Sequence, residues 1–181
     1  EIGDKKVQSS DFAYTIQGWL KGVNSEELIA STDQGKDAHT GINSMNGVDV
    51  YGYSLHYFDN DYTARHGNDF LSLSDGILAH DHDFDLYNGN IKEMYTASTN
   101  TGEEYIGTSH TWYRYDQLNR IKSMDQERLY DDTAENRYAS TYSYDSNGNL
   151  ETLTRDAWDG TAMIAIDDFT YEYNNDALLG F

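Results

Sequence analysis

The chain contains neither cysteine nor proline. Without cysteine there are no disulfides, no thiolate zinc sites and no cysteine nucleophile, although secretion stays open. Average usage would place about nine prolines in this length. With none, no position is barred from donating a ladder hydrogen bond, so long runs of paired strand are allowed. Basic residues are also scarce: 12 Lys and Arg stand against 32 Asp and Glu, a formal charge of −20 over 181 residues. A polyphosphate needs a basic face to release its counterions, so this balance excludes a general nucleic-acid partner. No apolar run approaches the roughly 20 residues that cross a bilayer, and the start carries no basic, apolar, small-residue signal, so no membrane insertion is expected.

Leu, Ile, Val and Phe together make up less than about a fifth of the residues, a level that at this charge flags disorder. Sixteen Tyr and three Trp point the other way. Disordered chains are poor in aromatics, and each buried ring removes roughly 150–250 Å² from water. The composition predicts a folded chain whose core is built from tyrosine. The chain opens on Glu1 and stops at Gly180-Phe181 just after a strand-like run, which is expected of a segment of a larger protein.

Few windows show helical periodicity, the best being Asn24 to Ala30, where Ser25 is placed to cap one or two turns. Strand patterns are commoner. Val48, Val50, Tyr51, Tyr53, Leu55 and Tyr57 form one run, and Phe169, Tyr171 and Tyr173 alternate with Thr170 and Glu172. Turn signals separate these runs at Asn46-Gly47, Asn88-Gly89, Asn147-Gly148 and Asp159-Gly160. Such pairs tolerate positive φ and predict type I′ hairpin turns.

The hairpin from Thr141 to Leu153 has copies. Tyr142-x-Tyr144-Asp145 is matched by Tyr113-x-Tyr115-Asp116 upstream and Tyr171-x-Tyr173-Asn174 downstream at one constant spacing, and Ile121, Leu150 and Leu179 keep step. Phe12-x-Tyr14-Thr15-x-x-Gly18-Trp19-Leu20 fits the same frame, and Gly89-Asn90-Ile91 reproduces Gly148-Asn149-Leu150. A unit of two short strands cannot bury its own face and must stack on its neighbours. The fold class predicted is all-β, consecutive antiparallel β-hairpins in a continuous curved or spiralling sheet. Residues 1–181 read as a single segment, with clear repeats at about 84–181 and a divergent repeat at about 12–83.

Tyr-x-Tyr-Asp-x-x-Gly-Asn-Leu, from Tyr142 to Leu150 and more loosely from Tyr113 to Ile121, resembles the tyrosine-aspartate (YD) repeat. That repeat occurs in bacterial rearrangement-hotspot (Rhs) proteins, the C component of insecticidal toxin complexes and animal teneurins. Tyr14 to Leu20 and Leu86 to Ile91 are similar to stretches of Rhs-type wall proteins of Bacteroidota. The resemblance implies hairpins following one another in a spiralling sheet that encloses a hollow shell. It therefore implies a structural module of a large secreted or surface bacterial protein, whose partners are other repeats of the same parent chain or further copies of itself. The region Asn24 to Phe84 has no copy of the motif, and Asn174 and Ala177 stand where the last copy would have aspartate and glycine. Nothing resembles a self-cleaving core or an effector, so neither activity is expected. An extracellular filament subunit, joining copies by strand pairing, is the structural alternative, and a glycan-binding module the alternative from another class.

Each chemical candidate has a structural counterpart. The repeated Tyr113, Tyr115, Tyr142, Tyr144, Tyr171 and Tyr173 could stack sugars, but their recurrence fits cross-strand packing that fixes register. Asp116 and Asp145 could serve catalysis or a metal, but an aspartate opening a turn accepts backbone N–H groups two residues on, and Gly148 supplies positive φ beside it. His80 to Asp85 is the densest metal-ligating cluster. Asp81, Asp83 and Asp85 resemble a calcium loop that lacks its glycine, at Leu86, and its last acid, at Lys92. Low-affinity Ca²⁺ binding is the most the acids predict, and no other cofactor is expected. Ser109-His110 and Ser54 near His56 are the close serine–histidine neighbours, with no nucleophile elbow, zinc-protease helix or phosphate loop around them. A non-catalytic chain is expected. Trp19 and Trp112 read as packing residues, and Trp158, beside a turn, as a half-exposed ring.

Overall fold

The computed structural model describes residues 9–29, 31–37, 45–65, 71, 73, 85–99, 105–129 and 138–173. Among them there is no helix. Nine strands form one open antiparallel sheet in which spatial order equals chain order. They are β1 (Phe12–Tyr14), β2 (Leu20–Val23), β3 (Tyr51–His56), β4 (Glu93–Thr99), β5 (Tyr105–Tyr115), β6 (Ile121–Arg128), β7 (Tyr138–Tyr144), β8 (Leu150–Trp158) and β9 (Met163–Thr170). The sheet is a succession of hairpins, as the turn spacing predicts.

Two expectations about local structure are corrected. Asn24 to Ile29 is not helical. Ser25 Oγ accepts Leu28 N at 3.0 Å, but Leu28 itself has φ +54° and ends the turn there. Asn147-Gly148 is not a type I′ turn, because Gly148 alone has positive φ between Asp145 and Asn149. Gly148 N donates to Asp145 O at 3.1 Å and Asp145 N to Asn149 O at 2.9 Å, which makes a three-residue loop ending in a left-handed glycine. The Asp145 carboxylate takes the N–H groups of Asn147 and Asn149 at 2.8 Å each, holding the loop in a form that needs positive φ only once.

Directly paired residues share a face. One face carries Gly52 and Ser54 of β3, Tyr95 and Ala97 of β4, and Thr108 and His110 of β5. The chain after β2 lies against it. An added Cβ on Gly52 would sit 2.3 Å from Ser25 O, so only glycine lets the backbones approach this closely. Leu73, Tyr95 and Leu129 form the buried apolar cluster beneath this cover. Further along, the same face presents Thr141, Thr154 and Asp168, with Ser143, Thr152 and Thr170 beside them. The opposite face carries Phe12, Tyr53, Tyr113, Tyr142 and Phe169 on successive hairpins.

Candidate functional site

Three hairpin ends share one construction. In the first, Thr15 N donates to Trp19 O and Gly18 N to Thr15 O. In the third, Asp116 N donates to Arg120 O and Asn119 N to Asp116 O. The fourth, from Asp145 to Asn149, repeats the pair. The left-handed residue is Gly18, Asn119 or Gly148. The strand leaving each turn then carries one extra residue. Tyr14 pairs with Leu20 and Ala13 with Gly22, leaving Lys21 unmatched. In the same way Lys122 is unmatched in the third hairpin and Glu151 in the fourth. Each is a β-bulge, which breaks the ladder and re-aims the carbonyl next to it.

The carbonyl of the apolar residue that closes the motif is taken by a tyrosine of the next hairpin, beside a bulge at Leu20, Ile121 and Leu150. Tyr115 Oη donates to Ile91 O at 2.9 Å, Tyr144 Oη to Ile121 O at 2.8 Å, and Tyr173 Oη to Leu150 O at 2.8 Å. Backbone pairing between the hairpins stops just short of this point. Tyr113 N reaches Lys92 O at 2.9 Å and Tyr171 N reaches Glu151 O at 2.8 Å, and beyond them the phenolic hydroxyl extends the seam. The second tyrosine of the motif is thus a latch between hairpins. Burial raises the hydroxyl pKa of Tyr115 and Tyr144, which keeps them protonated donors.

A fourth latch lies where the sequence shows no motif copy. Tyr57 Oη donates to Leu20 O at 2.7 Å and its ring lies 5.0 Å from Trp19. Tyr57 is 5 % exposed, the most enclosed of the four. It was illegible because residues 58–90 stand where the other hairpins have a short turn, separating the tyrosine from its closing residue Ile91. The four latches are not equally buried. Tyr115 and Tyr144 are half-buried, while Tyr173 is 53 % exposed and Tyr171 also lies open. Tyrosine burial common to every repeat, the expectation of a uniform aromatic core, is corrected: the rings deepen only where a covering segment exists.

The motif aspartates act on backbone. Asp116 accepts Arg120 N at 2.9 Å, Leu118 N at 2.8 Å and Arg120 Nε at 2.6 Å. These bonds, that from Arg120 N foremost, hold its carboxyl below the ordinary carboxylate range. Asp145 is lowered likewise, first by the Asn149 side chain and then by the turn's N–H groups. Arg120 also reaches Asp145 O at 3.2 Å and lies 4.6 Å over the Tyr144 ring, tying one turn to the next.

Of the calcium-like acids, Asp81 and Asp83 lie outside the described residues. Asp85 is engaged: one oxygen accepts Lys92 Nζ at 2.7 Å and the other Asp59 N at 3.1 Å. The lysine that takes the place of the loop's last acid is the partner of this carboxylate. Among the described residues no three His, Asp or Glu side chains are grouped to hold a metal ion. Ser54 and His56 do meet, with Oγ and Nε2 3.0 Å apart, but Glu26 Oε1 faces the same Nε2 at 3.0 Å and also accepts Ser54 Oγ. One ring nitrogen serves both neighbours, so the carboxylate does not orient the ring from its far side, as a proton relay requires. Ser109 and His110 point to opposite faces of β5. His110 stacks on Tyr95 at 4.5 Å between Glu93, 2.9 Å from Nε2, and Glu127, 3.4 Å from Nδ1.

The chain matches no protein-family model and no curated protein. What the geometry defines is an all-β sheet of latched hairpins.

Proposed function

We propose that the chain is a structural β-hairpin repeat module of the YD-repeat, Rhs type, a section of an enclosing shell in a large secreted or surface bacterial protein. The observation that carries this reading is the latch. Four consecutive seams are closed by one tyrosine-to-carbonyl bond, so each hairpin is fastened to the one before it and the unit extends by addition. The division of faces supports it as well, since Tyr142, Leu153 and Phe169 lie on one side of the last three strands and Thr141, Ser143, Thr152, Thr154, Asp168 and Thr170 on the other.

Strand parity favours a shell section over a filament subunit. Among the described residues the antiparallel meander has nine strands, so its first and last run the same way. Copies stacked by translation would therefore meet through a parallel pair, unlike every seam within the sheet. Electron microscopy of the purified chain across a salt series tests this. Monomers or unordered aggregates are expected, and regular fibres with a fixed subunit repeat would contradict it.

A further inference from the structure

Tyr14 holds the latch position in the first hairpin. It lies opposite Leu20 after the same register shift, ahead of the same turn, as Tyr115 lies opposite Ile121 and Tyr144 opposite Leu150. Tyr57, Tyr115, Tyr144 and Tyr173 each have a closing strand before them whose carbonyl takes the hydroxyl. Among the described residues, only the outer edge of β1 lies before Tyr14. Its ring is 56 % exposed and, among the described residues, no acceptor takes its hydroxyl. A strand edge with unpaired N–H and C=O groups is already a template for pairing. Here it carries in addition the one side-chain donor that every other seam uses.

We propose that the β1 edge receives the closing strand of a further tyrosine hairpin, with Tyr14 Oη donating to the carbonyl of that strand's first apolar residue. The occupant follows from continuity with the four seams already formed. It is a strand of the Leu20, Ile91, Ile121 and Leu150 kind, opening on an apolar residue that a bulge follows in three of the four hairpins, and entering antiparallel to β1. Among the described residues both edge strands, β1 and β9, are of the tyrosine-bearing kind and the closing strands lie inside, so the described sheet leaves no closing strand free for the β1 edge of another copy. The inference rests on the latch reading above and adds to it the partner and the donor.

The test places such a strand within reach. A second copy of residues 138–158 is joined ahead of Glu1 of the full chain, residues 1–11 serving as the connection. Urea unfolding and hydrogen exchange are then measured with and without Tyr14→Phe, which removes a single oxygen from an exposed ring. In the unextended chain Tyr14→Phe should change the unfolding equilibrium by less than about twofold. In the extended chain it should shift it about fivefold, the worth of one ordinary hydrogen bond, and the added hairpin's amides should be protected from exchange. An added hairpin that exchanges freely, or an equal effect of Tyr14→Phe in both chains, would overturn the proposal. Tyr144→Phe in the unextended chain separates the two levels. If it shifts the equilibrium about fivefold while the extension fails, only the edge proposal falls, and if it has no effect the latch itself falls.

Discussion

The two ends of the sheet use the same hairpin and surround it differently. Around β2 to β5 the chain folds back over one face and encloses charge. Glu26 is fully buried, its carboxylate taking Ser54 Oγ, Leu73 N and the His56 ring, and its backbone oxygen taking Thr108 Oγ1 at 2.8 Å. Lys21 pairs with Asp61 at 2.6 Å, and Lys92 with Asp85 and Asp59 at 2.7 and 3.0 Å. From residue 141 onward no described residue is buried. There the sheet is held by its ladders, by hydroxyl pairs such as Thr141 with Thr154 at 2.6 Å and Ser143 with Thr152 at 2.7 Å, and by the latches. The repeat thus sets the sheet's connectivity, and the inserted chain sets its depth. Local turns and seams are enough to define a strand order, but the buried interior forms where the chain after β2 packs on repeat strands, with Tyr95, Ala97, Thr108 and His110 buried on the covered face.

That contrast can be broken most forcefully at Glu26. Glu26→Ala strips a buried pair of its anion and should destabilise the protein by about 3–5 kcal/mol. Asp167→Ala removes the partner of Arg155, whose side chain is half exposed, and should cost under about 1 kcal/mol. Equal losses in urea unfolding would mean that the cover contributes no more than the open sheet.

Acid should act on the covered end first. Burial would raise the Glu93 carboxyl, but the hydrogen bond with His110 and the charges of His110, His56 and Lys92 outweigh it and hold the group at about 2, down from the ordinary 4.5. A lowered carboxyl stabilises the fold fully above the unfolded value, so this contribution, on the order of 3 kcal/mol, is lost as pH falls from about 4.5 through about 2. Glu93→Gln should flatten the acid limb of the stability profile over that window. An unchanged limb would place the acid sensitivity elsewhere.

Gly52→Ala is the next step down. Its Cβ would strike the Ser25 backbone, and the forced separation should cost roughly 1–3 kcal/mol, with exchange quickening in β3 and its cover. At the open end Gly148→Val costs on the order of 1–2 kcal/mol for a different reason, a β-branched residue forced to φ +90°. Faster exchange confined to the 145–149 turn would separate the two causes.

The open end is also the part that was legible. Alternation and the Asp-x-x-Gly turn marked β7 and β8 from sequence, because exposed strands must carry their instructions locally. The covered end hid its logic. Glu26, Asp33 and Asp37 look like surface acids, yet Asp33 takes Gly35 N and Asp37 N at 2.9 and 2.7 Å, and Asp37 takes Asn46 Nδ2 at 3.0 Å, all of them buried. Their fate depends on partners far away in the chain, which periodicity does not register. The latch was half visible. The tyrosine spacing announced a repeated contact, but its nature, a hydroxyl on a strand-opening carbonyl, does not follow from spacing, and the bulge beside three of the four carbonyls carries no common charge: Lys21 and Lys122 are cationic and Glu151 is anionic.

Tyr144 and Tyr142 provide the most direct test of the latch. They lie two residues apart on one strand and one face, and Tyr144 Oη donates to Ile121 O while Tyr142 has no hydroxyl acceptor among the described residues. Tyr144→Phe and Tyr142→Phe each delete one oxygen and leave the ring. Urea unfolding should show a loss of about 1 kcal/mol for Tyr144→Phe and a change within about 0.5 kcal/mol for Tyr142→Phe. Equal effects, or a larger loss at Tyr142, would contradict the latch.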